Sequence, residues 1–446
     1  MADTQAAALA PAPSYGELFR TFGKIGLINF GGPAGQIALM HKVLVDEKRW
    51  IDEDGYLRAL NFCTLLPGPE AQQLATYIGW RLMGVRGGLT AGLLFIGPGA
   101  LVILVLSILY AYAADLKPVA AALLGVKAAV LAIVVEAMLR VAKRALNARL
   151  KQVIAAAAFL ALFAFRAPFP AVVLAAGLIG LVAAQLDPAL LKLKSQPAEA
   201  DTAPRAPIVG KAILTALGWA AVWAAPMLVV LLLFGRGHVL FQIGLFFSKL
   251  ALVTFGGAYA VLAYMAQEAV SLHGWLKPGE MVDGLGLAES TPGPLIMVTE
   301  YVGFLAAFRA PAPFTPPIAG VIGAALTVWV TFAPCFLWIF TGAPFIERLE
   351  HARRVQGALA AITAAVVGVI ANLAIWFGLH VLFRSFTPLS LGPLSVSLPD
   401  PTSLAWPAAA MSLVAAVLLL RLHFGVLKTL GVSIVLGLGL HLVGLA

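Results

Sequence analysis

Five stretches of this chain, residues 88–114, 212–235, 314–342, 355–383 and 429–446, contain no Asp, Glu, Lys or Arg. A hydrocarbon core about 30 Å thick takes ~20 helical residues to cross, so each stretch reads as a membrane span. The run from 152 to 186, broken by Arg166-Ala-Pro-Phe-Pro170, reads as a helical hairpin, and 404–420 ends at Arg421 before a last apolar segment. Counting such runs predicts an all-α polytopic membrane protein with about 12 to 13 transmembrane helices. Only 11% of the 446 residues are charged, against roughly 25% in soluble domains, which excludes a cytosolic enzyme. The net charge of +9 comes from Lys and Arg clustered between the apolar runs. That pattern is positive-inside topology and not a nucleic-acid surface. Cys63 and Cys335 each sit in an apolar stretch and read as core residues. The N-terminus has no basic region followed by a signal-length apolar run, so insertion through internal spans is expected.

The chain repeats itself. Phe22-Gly-Lys-Ile-Gly-Leu-Ile-Asn-Phe-Gly-Gly32 aligns with Phe247-Ser-Lys-Leu-Ala-Leu-Val-Thr-Phe-Gly-Gly257 at an offset of 225, which also carries Trp50 to Trp275 and Pro67-Gly68-Pro69 to Pro292-Gly293-Pro294. Tyr77 then meets Tyr301, and at an offset of 236 Pro98 meets Pro334. This order of matches marks a duplication. The predicted division is an N-terminal tail 1–14, a first membrane repeat 15–186, a polar, Pro-containing cytoplasmic linker 187–211, and a second repeat 212–446 that begins with one additional helix. The loop after the 118–142 span is basic (Arg140, Lys143, Arg144, Arg149, Lys151), whereas in the second half the basic loop precedes the equivalent span (Arg348, Arg353, Arg354). If Lys and Arg stay cytoplasmic, the repeats are inverted, a transporter architecture with its binding site at the repeat interface.

Within that frame the strongest local signal is Leu65-Leu-Pro-Gly-Pro-Glu-Ala-Gln-Gln73. Pro69 suits a first helical position. The free N–H groups of Glu70, Ala71 and Gln72 would then carry the positive end of the helix dipole, a natural anion site. A second start follows Pro294. Broken backbone at membrane depth survives only where protein or a watery cavity satisfies it, so paired breaks point to the binding site; the plainer reading is two surface turns. Phe30-Gly31-Gly32 and Gly256-Gly257, with the adjoining Asn29 and Thr254, are candidates for substrate contact or for close helix packing. Lys24 and Lys249, six residues before Phe30 and Phe255, are candidate cations or snorkelling lysines, since a charge at mid-span costs ~2.5–3.5 kcal/mol. Lys127, Tyr77 and Tyr301 carry less weight. Glu70 and Glu300 are the proton-coupling candidates, while Glu136 with Arg140 at i+4 reads as a helix-surface pair. The mixed-charge stretch from His41 to Arg58 reads as interfacial, with Trp50 as anchor. No histidine spacing suggests a metal and no nucleotide or hydrolase motif occurs, so neither an enzyme nor a cofactor is expected.

These motifs, Phe30-Gly-Gly-Pro33, Leu65–Gln73, Tyr77-Ile-Gly-Trp-Arg81 and the echoes Phe255-Gly-Gly257 and Ser290-Thr-Pro-Gly-Pro294, resemble the chromate ion transporter family in its long, two-module form, over nearly the whole chain from Ser14. The resemblance implies a bacterial inner-membrane carrier that exports chromate on the proton gradient and so confers chromate resistance. Its partners would be chromate or a sulfate-like dianion, protons, the lipid bilayer and a homo-oligomeric copy, with no nucleic acid. A carrier of sulfate or another oxyanion, inward-directed, is the alternative within this architecture. A non-transporting scaffold or membrane-embedded enzyme is the remote one. The second repeat departs from the first at Ala258, where the first has Pro33, and at Leu295, where the first has Glu70.

Overall fold

The computed structural model describes residues 10–193, 206–255, 258–346, 353–391 and 394–444; Gly256, Gly257, Arg348 and residues 194–205 of the linker lie outside them. The described chain is helical apart from one antiparallel hairpin of β1 (Phe386–Leu391) and β2 (Leu394–Pro399). The first set of helices is α1 (Tyr15–Ile28), α2 (Gly32–His41), α3 (Glu53–Leu65), α4 (Glu70–Ala113), α5 (Lys117–Ala145), α6 (Arg149–Phe163) and α7 (Phe169–Leu186). After α8 (Ala206–Phe234) the second set follows: α9 (Val239–Val253), α10 (Ala258–Ala266), α11 (Pro278–Ser290), α12 (Val298–Arg309), α13 (Pro316–Gly342), α14 (Arg353–Leu382), α15 (Trp406–Ala416) and α16 (Val426–Leu442). Corresponding bounds keep the spacing seen in the sequence. α3 and α11 begin and end 225 residues apart, as do the π-helical turns Lys42–Glu47 and Gln267–Leu272 that extend α2 and α10.

Among the described residues, six helical segments are long and apolar enough to cross a bilayer: Glu70–Ala113, Lys117–Ala145, Phe169–Leu186, Val209–Phe234, Pro316–Phe345 and Arg353–Leu382. Trp406–Arg421 and Val426–Leu442 are apolar but shorter. Part of the expected count of crossings is taken up instead by half-length helices. At 1.5 Å per residue, the 13 residues of α3 reach only about 20 Å, short of a 30 Å core. They turn back. The Ala10 N–H donates to the Arg49 carbonyl at 3.0 Å, closing the base of α1 and α2, and the Gly55 backbone at the start of α3 lies against Arg81. α4 is itself two arms, because Met83 (φ −142°) and Gly84 (φ +62°) leave the helix. A Cβ on Gly79 would sit 2.4 Å from the Gly87 carbonyl, so the arms 70–82 and 85–113 fold against one another through glycine. In the second set, Arg309 at the end of α12 pairs with Glu280 at the start of α11 (2.8 Å), and His238 Nε2 lies 2.8 Å from the Ala312 carbonyl. Each set therefore contributes two re-entrant hairpins: α1–α2 and α3 with the first arm of α4, then α9–α10 and α11–α12.

The remaining helices exchange partners between sets. Hairpin α6–α7 packs on α14, and α15–α16 packs on α5. Both seams are stripped of side chains: a Cβ would fall 2.0 Å from the Ser433 carbonyl at Gly125, and 2.2 Å from the Gly357 carbonyl at Gly180. Small residues are how apolar helices approach where water supplies no driving force between them. The Gly180–Gly357 contact joins the last turns of α7 to the first turn of α14, so α14 runs antiparallel to α5. One end of the bundle thereby collects Arg140, Lys143, Arg144, Arg149, Lys151, Arg353 and Arg354. The additional helix α8 lies on α13, with Trp223 Nε1 donating to Val330 and Trp329 Nε1 donating to Val222, both at 3.1 Å.

Candidate functional site

The two proline-glycine breaks are the tips of the hairpins, and they meet. Gly68 has φ +121° and Gly293 has φ +109°, values that a side chain rarely tolerates. The Gly68 N–H donates to the Thr254 carbonyl at 2.8 Å, and the Gly293 N–H donates to the Asn29 carbonyl at 3.3 Å. Each tip is thus held by the frayed end of the other repeat's first helix, α9 or α1. The backs of the tips are held in the same crossed fashion. A Cβ on Gly68 would lie 3.0 Å from Cys335 Sγ in α13, and one on Gly99 in α4 would lie 2.5 Å from the Pro292 carbonyl. Gly99 and Cys335 correspond at the offset of 236. Gln36 in α2 adds a bridge, its Nε2 donating to the Gly293 carbonyl at 2.5 Å and to the Asn29 carbonyl at 3.1 Å.

Between the tips lies a cavity of about 20 Å³, walled by Pro33, Gln36, Glu70, Thr254, Pro294 and Ile296. That volume holds about one water, so a tetrahedral oxyanion enters only if the tips part. Two helix starts face it. α4 begins at Glu70 behind Pro69, and the turn Leu295–Met297 leads into α12 behind Pro294. First-turn N–H groups have no partner within their helix, and those of Glu70, Ala71, Leu295 and Ile296 belong to residues that wall the cavity. Four buried amides surround the same region. Asn29 Nδ2 donates to the Phe95 carbonyl (3.3 Å), Gln72 Nε2 to Thr76 Oγ1 (3.1 Å) and Gln73 Nε2 to the Pro67 carbonyl (2.8 Å), and Gln36 bonds as above. Among the described residues their oxygens, Asn29 Oδ1, Gln36 Oε1, Gln72 Oε1 and Gln73 Oε1, have no partner. A side-chain amide carries two N–H donors and two acceptor positions, so each of these buried groups has hydrogen-bonding capacity beyond the bonds it makes here.

The structure brings together Asn29, Pro67, Gly68, Pro69, Glu70, Gln72, Gln73, Thr254, Pro292, Gly293 and Pro294. Phe30 is half-buried at the start of the turn into α2, and Gly31 (φ +90°) and Gly32 (φ +66°) make that turn. Lys24 and Lys249 are not brought to the tips. Both are exposed, because the buried stripe of α1 runs through Leu18, Phe22 and Ile25, and that of α9 through Ile243, Phe247 and Leu250. One residue along a helix turns about 100°, which points each lysine away. Glu300 is buried but walls a different, apolar cavity of about 450 Å³ between α4, α8 and α13. Tyr77 packs against Phe62 and Trp80. Tyr301 donates to the Glu280 carbonyl at 3.2 Å. Lys127 meets Asp283 of α11, with Nζ 3.2 Å from Oδ2.

Two participants escaped the sequence reading. Gln36 was visible as the single amide in the apolar helix from Pro33 to Met40, but its target lies 257 residues away. Asp283 is 2% exposed and accepts from Tyr110 at 2.8 Å as well as from Lys127. Its only signal was one acid in the run Met281–Ala288.

Comparison with known proteins agrees with this architecture. The family described as "Chromate transporter" matches residues 16–181 and 241–440, one stretch in each repeat. A chromate transport protein of Pseudomonas aeruginosa is 36% identical over 374 residues, covering 82% of each chain. One from Cupriavidus metallidurans is 27% identical, covering 83% of this chain and 85% of the relative. No solved structure matches the chain. By the extent of the family match and the Pseudomonas relative, the chain is a multi-pass membrane protein that belongs to the chromate transporter family.

Proposed function

We propose that this protein is a secondary active transporter that exports chromate from the cytoplasm across a bacterial inner membrane, driven by the proton gradient. The single observation that carries the reading is the crossed clamp, in which hairpin tips entering from opposite ends of the bundle close one cavity with two helix starts facing it. A dianion suits two N-terminal helix dipoles, and the four amides supply further donors once turned from their present partners. The basic end of the bundle faces the cytoplasm on the positive-inside rule, so the first-repeat hairpins enter from inside and those of the second from outside. Parting one pair of tips while the other stays seated gives alternating access. In this reading the repeats are 15–186 and 212–446, and the substrate is held by backbone and amide N–H groups around Gly68, Gly293, Gln72 and Gln73.

Sulfate has the same charge and tetrahedral shape, and N–H donors distinguish the two dianions poorly, which favours a general oxyanion carrier as the second reading. The test is labelled chromate uptake into energised inside-out vesicles, with and without a protonophore and with excess sulfate. Uptake that collapses with the protonophore and resists sulfate supports selective export. Uptake abolished by modest sulfate supports the general carrier, and no energised uptake refutes both.

A further inference from the structure

Resting on that reading, we propose that the ion pair between Asp283 and Lys127, with Tyr110, is the proton-operated latch of the second hairpin and the group through which this transporter is coupled to protons. Asp283 lies on α11, five residues into the hairpin that carries the Gly293 tip, whereas Lys127 and Tyr110 lie on α5 and the second arm of α4. The bond therefore joins a re-entrant hairpin of the second repeat to long helices of the first. Lys127 Nζ is 3.2 Å and Tyr110 Oη 2.8 Å from the same oxygen, Oδ2, while Oδ1 is buried with no partner among the described residues. A carboxylate at 2% exposure with one oxygen unsatisfied depends on its one cation and the Tyr110 hydroxyl to stay ionised.

The carboxylate sits between α11, α5 and the second arm of α4. The other charged or titratable groups facing it are Glu280, one turn nearer the end of the bundle, and Tyr301 of α12, whose ring meets that of Tyr110 edge-on at 5.2 Å. Glu280 is itself paired with Arg309 at the surface. α14 and α16 also pack on α11, yet among the described residues neither puts a charged side chain within bonding reach of Asp283. Lys127 is 27% exposed, so the pair is buried on the carboxylate side and more open on the lysine side, beside Gly279 near the start of α11. It sits toward the end opposite the basic loops, which is the outer face. The first repeat has no counterpart: Arg58, Thr363 and Ile346 occupy the positions corresponding to Asp283, Lys127 and Tyr110.

The proton step is simple. A proton from outer water forms an O–H bond on the Asp283 carboxylate, Lys127 keeps its charge, and the attraction that seats α11 against α5 is lost. Seating is what places Gly293 on Asn29 and completes the anion cavity. Proton and anion thus favour different arrangements of one hairpin, the condition that exchange of one for the other requires.

The test uses the full-length protein in proteoliposomes, with two readouts: labelled-chromate counterflow at equal pH, and accumulation driven by a pH gradient. Asp283→Asn alone strands a buried lysine, as protonation does, and unseats the hairpin; the decisive variant is the double change Asp283→Asn with Lys127→Met, which leaves no lone charge, so that packing alone seats α11 at every pH. Counterflow should stay within about threefold of the parent, while gradient-driven accumulation falls roughly tenfold or more, to the level without a gradient; Asp283→Glu should retain both. Persistence of driven accumulation in the double variant overturns the proposal, and so does a parallel loss of both readouts in correctly inserted protein, which marks a merely structural pair. If the parent carries sulfate and not chromate, the substrate reading fails and the same two readouts with sulfate decide the latch. If it carries neither, hydrogen exchange decides. After correction for intrinsic rates, α11 amides should exchange faster as pH falls in the parent but not in the double variant, and equal pH dependence overturns the latch.

Discussion

Gly99→Ala tests the seating of the second tip with one methyl group. The new Cβ would lie 2.5 Å from the Pro292 carbonyl and 3.1 Å from Gly293 Cα. Ordinary contact begins near 3.4 Å, so the tip must retreat by about 0.9 Å, and both neighbours are backbone, which cannot swing aside. The Gly293 N–H bond to Asn29 is already 3.3 Å long and would not survive such a shift. Overpacking costs roughly 1–3 kcal/mol and a lost hydrogen bond about 1 kcal/mol more, so the seated arrangement is disfavoured by about 2–4 kcal/mol. At about 1.4 kcal/mol per decade, even the lower figure lowers the ratio of seated to unseated tips roughly 25-fold. Chromate uptake into vesicles, normalised to inserted protein, should fall at least ~10-fold. Gly97→Ala is the control, because a Cβ there meets nothing within 4 Å; its uptake should stay within about twofold of the parent. Gly99→Ala protein that transports like the control, with an unchanged thermal midpoint, would refute the seating of this tip on α4.

Lys24→Gln and Lys249→Gln should each leave the apparent KM for chromate within about twofold, since both lysines are exposed; a tenfold rise in KM would return them to the binding site. Gln36→Leu removes the donor that ties Gly293 to Asn29 and strands the Gly293 carbonyl, at a cost of about 1–3 kcal/mol, so both the thermal midpoint and the transport rate should drop, as thermal unfolding and vesicle uptake would show. Gly125→Ala and Gly180→Ala press a methyl into the Ser433 and Gly357 carbonyls and should each destabilise by about 1–3 kcal/mol without altering the KM of the molecules that remain folded. Outside the bundle, hydrogen bonds from Thr402 hold the exposed Asp400 carboxyl below its ordinary range. A depressed carboxylate supports structure above its unfolded pKa and loses that support as pH falls through the folded one, so amide protection of the turn at Thr402 and Ser403 should persist through pH 4 and fade only in stronger acid.

The duplication and its breaks were legible because proline and glycine act locally: Pro67–Pro69 and Pro292–Pro294 end one helix and start the next whatever surrounds them. The half-length of α3 and α11 was less so, because hydropathy counts apolar residues and does not say whether a helix crosses or turns back. The outward direction of Lys24 could have been read. It lies one residue off the stripe Leu18, Phe22, Ile25, Asn29, whose spacing of three and four is the buried face of a helix. What no local pattern held was pairing across repeats. Lys127 and Asp283 are 156 residues apart, Gln36 and Gly293 are 257 apart, and each looks like a stray polar residue until the helices are assembled.

A duplication would by itself give two equivalent hairpins, and the acids show where that equivalence was lost. The first hairpin has Glu70 at its tip where the second has Leu295, and the second has Asp283 in its stem where the first has Arg58. Glu70 walls the tip cavity. An ionised carboxylate there would repel a charge about 4 Å away by roughly 4 kcal/mol at an effective dielectric of 20, and a dianion by about twice that. The cavity therefore favours the anion together with a neutral Glu70, which is the logic of a proton travelling with its substrate. Exchange of a proton for an anion needs the opposite sign, and only an acid whose ionised form stabilises the anion-holding arrangement supplies it. Asp283 meets that condition by position: ionised, it draws its hairpin onto Lys127 and seats the tip, and protonated, it lets go. The stem of the second hairpin, rather than the tip of the first, is where proton and anion can be set against each other.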